Sequence, residues 1–167
     1  SALNDESEGQ YQNTSYREDA TAKANNNSVD VSGSETKVGY IYGGEAHIEG
    51  NGNQTATAEA NNNSVTVSNG STTNGIYGGY ASAEGNQTAA AEANNNSVTV
   101  SNGTVYGDVV GGYAEVFLYE TSISALNDES EGQYQNTSYS EDATAKANNN
   151  SVTVSGSTVN GIYGGYA

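Results

Sequence analysis

Four copies of one short motif constrain this chain more than any single residue does. The tripeptide Asn-Asn-Asn begins at Asn25, Asn61, Asn94 and Asn148, and Ser-Val-Thr-Val-Ser follows it, with Asp30 in place of the threonine in the first copy. A second motif, Tyr-Gly-Gly, ends three of the copies, and Val-Gly-Gly stands at the same place in the third. Such recurrence is typical of chains that stack like units on one another rather than fold around one buried site.

The repeats have two periods. The Asn runs are 36, 33 and 54 residues apart, a total of 123 residues. That total is itself a period, because residues 1–33 match residues 124–156 at all but two positions. We expect the array to continue along its axis with like units. The prediction is one continuous array over residues 1–167, with repeat units at roughly 15–46, 47–81, 82–114 and 136–167 and an insertion or extra coil at 115–135.

Within one unit, small apolar residues alternate with polar ones. In the second unit the alternation runs over residues 55–60 and again over 64–68, and an extended stretch rich in Gly and Tyr covers 75–81. Period two indicates strands with one face inward, and no segment has the apolar spacing of a helix. The side chains predicted to face inward are Ala56, Ala58 and Ala60 on one wall, Val65 and Val67 on a second, and Ile76 on a third.

Three short strands in each unit of about 33 residues predict an all-β fold, a parallel β-solenoid (β-helix). Strand twist and crossover preference favour a right-handed winding over a left-handed one. Asparagine suits the corners, because it tolerates left-handed backbone angles and its side chain can hydrogen-bond to its counterpart in the next coil. The alternative is an antiparallel β-sandwich of short meanders. Four or five coils in each long period predict an axial repeat of roughly 19–24 Å.

Composition excludes several functions. The chain has 4 Lys and Arg against 20 Asp and Glu, a net charge of −16, so it has no basic surface for nucleic acid. It has no Cys, and a secreted fold would therefore be held by stacking rather than by disulfides. No apolar stretch is long enough to span a membrane, and we expect no membrane insertion in this sequence.

Catalysis is not expected. His47 is the single His, it has no counterpart in the other units, and no Cys is present as a nucleophile. Carboxylate pairs at 18–19 and 141–142 stand among Ser, Thr and Ala without the residues of a shaped pocket. Near-identical repeats also disfavour an active site, which requires unlike residues to converge.

Aromatic residues are the main candidates for a binding surface. Stacked aromatic side chains suit a glycan, a host protein or a neighbouring fibre, and the alternative is that some of them point inward and fill a corner of the coil. The candidates that recur one unit apart are Tyr42, Tyr77 and Tyr163 in one column and Tyr80, Tyr113 and Tyr166 in another. The insertion adds Phe117 and Tyr119, which belong to the most apolar run of the chain.

Two further kinds of site follow from the polar residues. Asn-x-Ser sequons at the predicted corners make Asn26, Asn62, Asn95 and Asn149 candidates for N-glycosylation. The acidic segment at residues 4–9, repeated at 127–132, has oxygen side chains at alternate positions before a Gly, as in the first half of a calcium loop. Its twelfth position is Ser rather than Glu, so a solvated acidic loop is the simpler interpretation. No cofactor is predicted, and calcium is the one ion that this pattern leaves open.

The string Asn-Asn-Ser-Val-Thr-Val-Ser, followed by Thr-Val-Asn-Gly-Ile-Tyr-Gly-Gly-Tyr-Ala at residues 158–167, resembles repeat segments of very large bacterial surface adhesins, including autotransporter passenger domains. The resemblance covers the whole sequence. It implies a long β-solenoid displayed outside the cell. The corresponding expectation is a structural segment of an extracellular fibre or adhesin stalk that associates with its own kind by axial stacking. The alternative is a surface that binds glycans or host proteins through the tyrosine columns or the insertion.

Overall fold

The computed structural model describes residues 19–49, 55–85, 88–118 and 142–167, which contain strands and no helix. The strands form four successive coils. Coil 1 contains β1 (Ala20–Lys23), β2 (Ser28–Ser32), β3 (Lys37–Tyr42) and β4 (Glu45–Ile48). Coil 2 contains β5 (Thr55–Glu59), β6 (Ser64–Ser68) and β7 (Thr72–Gly85). Coil 3 contains β8 (Thr88–Glu92), β9 (Ser97–Ser101), β10 (Thr104–Val105) and β11 (Asp108–Leu118), and coil 4 contains β12 (Asp142–Lys146), β13 (Ser151–Ser155) and β14 (Gly161–Tyr166).

Three parallel sheets run along the stack of coils. The first has the order β1-β5-β8-β12, and the second has the order β2-β6-β9-β13. In the third sheet β7 pairs with β3, β4, β10 and β11, and β11 pairs with β14. Every pairing between these strands is parallel and joins equivalent positions of adjacent coils. The predicted β-solenoid is therefore confirmed and the antiparallel sandwich is excluded, while the handedness of the winding stays a prediction.

Coils 3 and 4 are direct neighbours although their sequences are 54 residues apart. Asp142 pairs with Thr88 and Ser151 pairs with Ser97, so no further strand lies between the two coils. The 123-residue period therefore spans three coil steps, or ~14 Å at ~4.8 Å for each coil. The expectations of an extra coil here and of a 19–24 Å axial repeat were wrong, because sequence length between coils does not fix how much of it enters the stack.

The predicted insertion begins later than its sequence suggests. Residues 115–118 continue strand β11 and pair in register with residues 82–85 of β7. Val116 and Leu118 point inward and pack against the core. The remainder of the insertion, residues 119–135, lies outside the described residues.

The inward side chains form two separate cores. All six side chains predicted to face inward are buried, with at most 1% of their surface exposed. The alanine core consists of Ala46, Ile48, Ala56, Ala58, Ala60, Ala81, Ala83, Ala89, Ala91, Ala93 and Ala114. The valine core consists of Ile41, Val65, Val67, Ile76, Val98, Val100, Val105 and Val109. Small side chains permit a narrow coil, and each fully buried valine still stabilises the fold by about 1.5–3 kcal/mol.

The three asparagines of each run have three different roles at one corner. The middle one takes a left-handed backbone conformation, with φ of 62° at Asn26 and 58° at Asn62. The third one points inward, and Asn63 donates from its backbone N–H and its Nδ2 to Oδ1 of Asn96, at 2.9 and 3.1 Å. The hydrogen bond of the first one runs in the opposite direction along the axis, since the backbone N–H of Asn94 in coil 3 donates to Oδ1 of Asn61 in coil 2 at 2.7 Å. The predicted corners and ladders are both confirmed, on different residues.

The Gly-Gly pair of the third strand faces the inward asparagine ladder. A Cβ added at Gly79 would lie 2.5 Å from Nδ2 of Asn96, so only glycine leaves room for the ladder. The strand also changes its inward side here, because Ile76 faces the valine core and Ala81 faces the alanine core. Under strict alternation two residues five positions apart face opposite sides, so the inward direction of both Ile76 and Ala81 requires a break in the alternation. The bend at this break places the two flanking tyrosines on the same outer side of the coil.

Candidate binding surface

Six tyrosines of the third sheet form two outward columns at this bend. The first column contains Tyr42, Tyr77 and Tyr163, and the second contains Tyr80, Tyr113 and Tyr166. None of the six is buried: Tyr42, Tyr163 and Tyr166 are exposed, and the other three are half-buried against one another. The alternative that some of these side chains fill the inside of a corner is therefore wrong.

The rings stack along each column and meet edge to face between columns. Tyr42 and Tyr77 are parallel with centroids 5.2 Å apart, and Tyr80 and Tyr113 have the same separation. Tyr113 stacks in turn on Tyr166 at 5.1 Å. Across the columns, Tyr77 lies 6.1 Å from Tyr80 and 6.2 Å from Tyr113, both nearly perpendicular. These are the two favourable aromatic geometries, worth about 0.5–1.5 kcal/mol a pair beyond the buried area.

The first column is interrupted in coil 3. Val110 pairs in register with Tyr77 on one side and with Tyr163 on the other, so a valine occupies the position of a tyrosine. A cavity of about 190 Å³ opens at this place. Its lining residues are Tyr77, Asp108, Val110, Tyr113, Tyr163 and Tyr166. We call this cavity the Val110 notch.

Two carboxylates accompany the tyrosines, and no sequence pattern distinguishes either of them from the other acidic residues. Glu115 bridges adjacent coils, because it accepts a hydrogen bond from the hydroxyl of Tyr80 and another, at 3.1 Å, from the hydroxyl of Tyr113. Asp108 lines the Val110 notch and is exposed. The Val-Gly-Gly of the third unit was the signal that could have located the notch, since it replaces Tyr-Gly-Gly.

Burial raises the pKa of four hydroxyls of the columns, those of Tyr42, Tyr77, Tyr80 and Tyr113. Burial raises the pKa of Tyr80 well above its usual range, and the hydrogen bond to the Glu115 carboxylate raises it further. Burial likewise raises the pKa of Tyr77, with a smaller contribution from the negative charge of Asp108. At neutral pH these rings are therefore neutral hydrogen-bond donors beside fixed carboxylates.

The other predicted site residues are dispersed. Phe117 is 49% exposed on β11, four residues beyond Tyr113, and so stands ~13 Å further along the strand. Tyr119 and the acidic segments at 4–9 and 127–132 lie outside the described residues. The four corner asparagines proposed for glycosylation are all exposed and follow one edge of the stack. With a spacing of ~4.8 Å between coils, glycans on adjacent corners would crowd one another.

Among the described residues, no three His, Asp or Glu side chains are grouped as metal ligands would be. No helix in the described part of the chain is long and apolar enough to cross a membrane. Comparison of the chain with protein-family models, with curated proteins and with solved structures finds no match in any of the three.

Proposed function

We propose that this chain is a structural segment of an extracellular fibre or adhesin stalk, which holds another part of the assembly away from a cell. The observation that carries the proposal is the direct, in-register stacking of near-identical coils in three parallel sheets. Each coil repeats the same backbone pairing and the same side-chain ladders, so further coils lengthen the stack through the same kinds of contact. The resemblance of the repeats to those of large bacterial surface adhesins agrees with this role.

The exposed side of coil 4 is suited to receive another coil. Nδ2 of Asn150 is buried and has no hydrogen-bond partner among the described residues. In the coils before it, the equivalent atom of Asn96 donates to Oδ1 of the next asparagine at 3.2 Å. Ile162 is 52% exposed, whereas its counterpart Ile76, with a coil on each side, is fully buried. A further coil would satisfy the amide and cover the isoleucine.

A column of charges indicates which kind of coil fits there. Nζ of Lys23 lies 3.0 Å from Oε1 of Glu59, and Nζ of Lys146 lies 3.0 Å from Oε1 of Glu92. The order along the axis is therefore Lys, Glu, Glu, Lys. A coil with Glu at this position would pair with Lys146, whereas a coil with Lys would repel it, by up to about 1 kcal/mol for such exposed charges. Continuation of the 123-residue period favours the first arrangement.

The proposal is tested by the length of tandem arrays. Chains with one, two, four and eight copies of the 123-residue block are measured in solution by small-angle X-ray scattering and imaged by electron microscopy. We expect rods of constant width whose length grows by ~14 Å for each block, as three coil steps require. Separate globules joined by flexible segments, with dimensions that grow as a flexible chain, would contradict a stalk.

A second function, binding of a glycan or host protein, is supported by the outward tyrosine columns, and the insertion is its other candidate surface. The contribution of the insertion is tested by replacing residues 119–141 with Asn-Gln. That pair, residues 86–87, is all that joins the equivalent positions Gly85 and Thr88 of coils 2 and 3. If the coils still stack but cells carrying the array lose adhesion, the removed segment contains the surface that binds the glycan or host protein. If adhesion is unchanged, binding through the insertion is excluded.

A further inference from the structure

At the Val110 notch the first tyrosine column lacks a ring between the coils of Tyr77 and Tyr163. Tyr77 stacks on Tyr42 on the side of coil 1, and on its other side the stack has Val110 instead of a ring. Val110 itself is 5% exposed and forms the apolar floor. Rings of the second column close one flank, with Tyr113 nearly perpendicular to Tyr77. Aromatic groups thus surround the cavity from more than one direction.

We propose that the Val110 notch binds a small organic cation, a quaternary ammonium group of the choline type. The faces of tyrosine rings carry negative electrostatic potential and attract cations that lie within ~6 Å of the ring centroid. A cation at the height of Val110 is one coil, or ~4.8 Å, from the coil of Tyr77 and from that of Tyr163. The space left by the replaced ring therefore puts a cation within range of tyrosines on both sides.

The charges favour a cation over a neutral sugar or an anion. Asp108 is the only carboxylate among the residues that line the notch, and no lining residue is basic. The net charge of −16 adds a field that concentrates cations at the surface. This inference does not depend on the proposed stalk function.

The test is a titration of the full chain with choline, followed through the ring signals of tyrosine in NMR spectra. We expect saturable shifts of the signals from the notch tyrosines. The neutral analogue 3,3-dimethylbutan-1-ol has the same shape without the charge, and it should bind at least about tenfold more weakly. Equal binding of the two compounds, or no saturable shift with choline, would overturn the proposal.

Two variants locate the site. Asp108→Asn should weaken choline binding by about tenfold, because it removes the carboxylate at the notch. Asp30→Asn is its control, since it changes the net charge equally on a different sheet, and its binding should match the wild type. Val110→Tyr restores the missing ring, so it should retain or raise thermal stability and abolish binding. A folded Val110→Tyr protein that binds choline normally, or equal effects of the two Asp variants, would refute the assignment.

The source of the ammonium group is decided with the same proteins. Co-sedimentation with phosphatidylcholine vesicles that is lost in Val110→Tyr assigns a lipid headgroup. Binding of free choline without co-sedimentation assigns a soluble ligand. Both results support the notch as an ammonium site.

Discussion

At the scale of single residues, each asparagine of a run has a distinct role that its position in the run determines. The middle residue can be assigned from sequence, because a corner requires a left-handed conformation that asparagine tolerates. The inward direction of Asn63 and Asn96 could not be predicted, since hydrophobicity patterns place amides outside. Burial of these amides is possible because each one pairs with its own copy in the next coil, a property of the stack and not of one unit.

Substitution of a ladder residue tests this assignment. In Asn96→Ala, the backbone N–H and Nδ2 of Asn63 both lose their acceptor inside the core. Each unsatisfied buried donor costs about 1–3 kcal/mol, so we expect the free energy of unfolding to fall by roughly 2–4 kcal/mol in urea titrations. Asn95→Gly, at the adjacent exposed corner with φ of 57°, is the control and should change stability little. Equal losses in the two variants would show that the ladder is not the stabilising element.

The tyrosine hydroxyls predict a pH dependence. The folded-state pKa of Tyr80 is raised, first by burial and then by Glu115, so the associated stability is present below pH ~10 and is lost as the pH rises through the folded-state value. In Glu115→Gln the pKa of Tyr80 should fall, and tyrosinate absorbance at alkaline pH should appear earlier in the titration. The total loss of stability above pH ~10 should also be smaller than in the wild type. Identical titration curves would disprove the contribution of Glu115.

At the scale of elements, the third strand differs most from its sequence-based prediction. Alternation predicted an extended stretch at residues 75–81, and the strand in fact covers Thr72–Gly85 and lines both cores. The Gly-Gly pair lies inside the predicted stretch and breaks the alternation that defines a single wall, so periodicity could not show that the strand lines two cores. The tyrosine pairs are visible in the sequence. They pack together at one bend because the inward side of the strand changes there, and only the pairing between strands shows that change.

Glycine substitutions test the bend. Gly79→Ala would place a methyl group against the backbone carbonyl oxygen of Ala60 and 2.5 Å from Nδ2 of Asn96, and we expect a loss of about 1–3 kcal/mol in the free energy of unfolding. Gly39→Ala is a matched control, because it stands in a strand of the same sheet and an added Cβ meets nothing within 4 Å. Its effect should stay within about 0.5 kcal/mol. A Gly79 variant as stable as the Gly39 variant would contradict the close packing of ladder and bend.

At the scale of the whole molecule, repetition in the sequence predicts the architecture and the three walls. It could not predict how much of the 54-residue interval between coils 3 and 4 enters the stack. An interval of that length fits an added coil or an excursion equally well, and only the pairing of Asp142 with Thr88 distinguishes them. The Val-Gly-Gly of the third unit marks the break in the tyrosine column, but the open space between the rings could not be predicted, because it depends on the register of three coils.

The central claim is that each coil lies directly on the next with equivalent residues in register, including across the longest interval. Since the chain has no Cys, introduced cysteine pairs report adjacency without background. Thr99 and Thr153 are register partners, whereas Thr66 and Thr153 are two coils apart. Adjacent coils, ~4.8 Å apart, satisfy the Cα separation that a disulfide needs, and ~9.6 Å exceeds it. We predict rapid oxidative cross-linking in Thr99→Cys/Thr153→Cys and none in Thr66→Cys/Thr153→Cys; the reverse result, or equal rates for the two pairs, would contradict the stacking order.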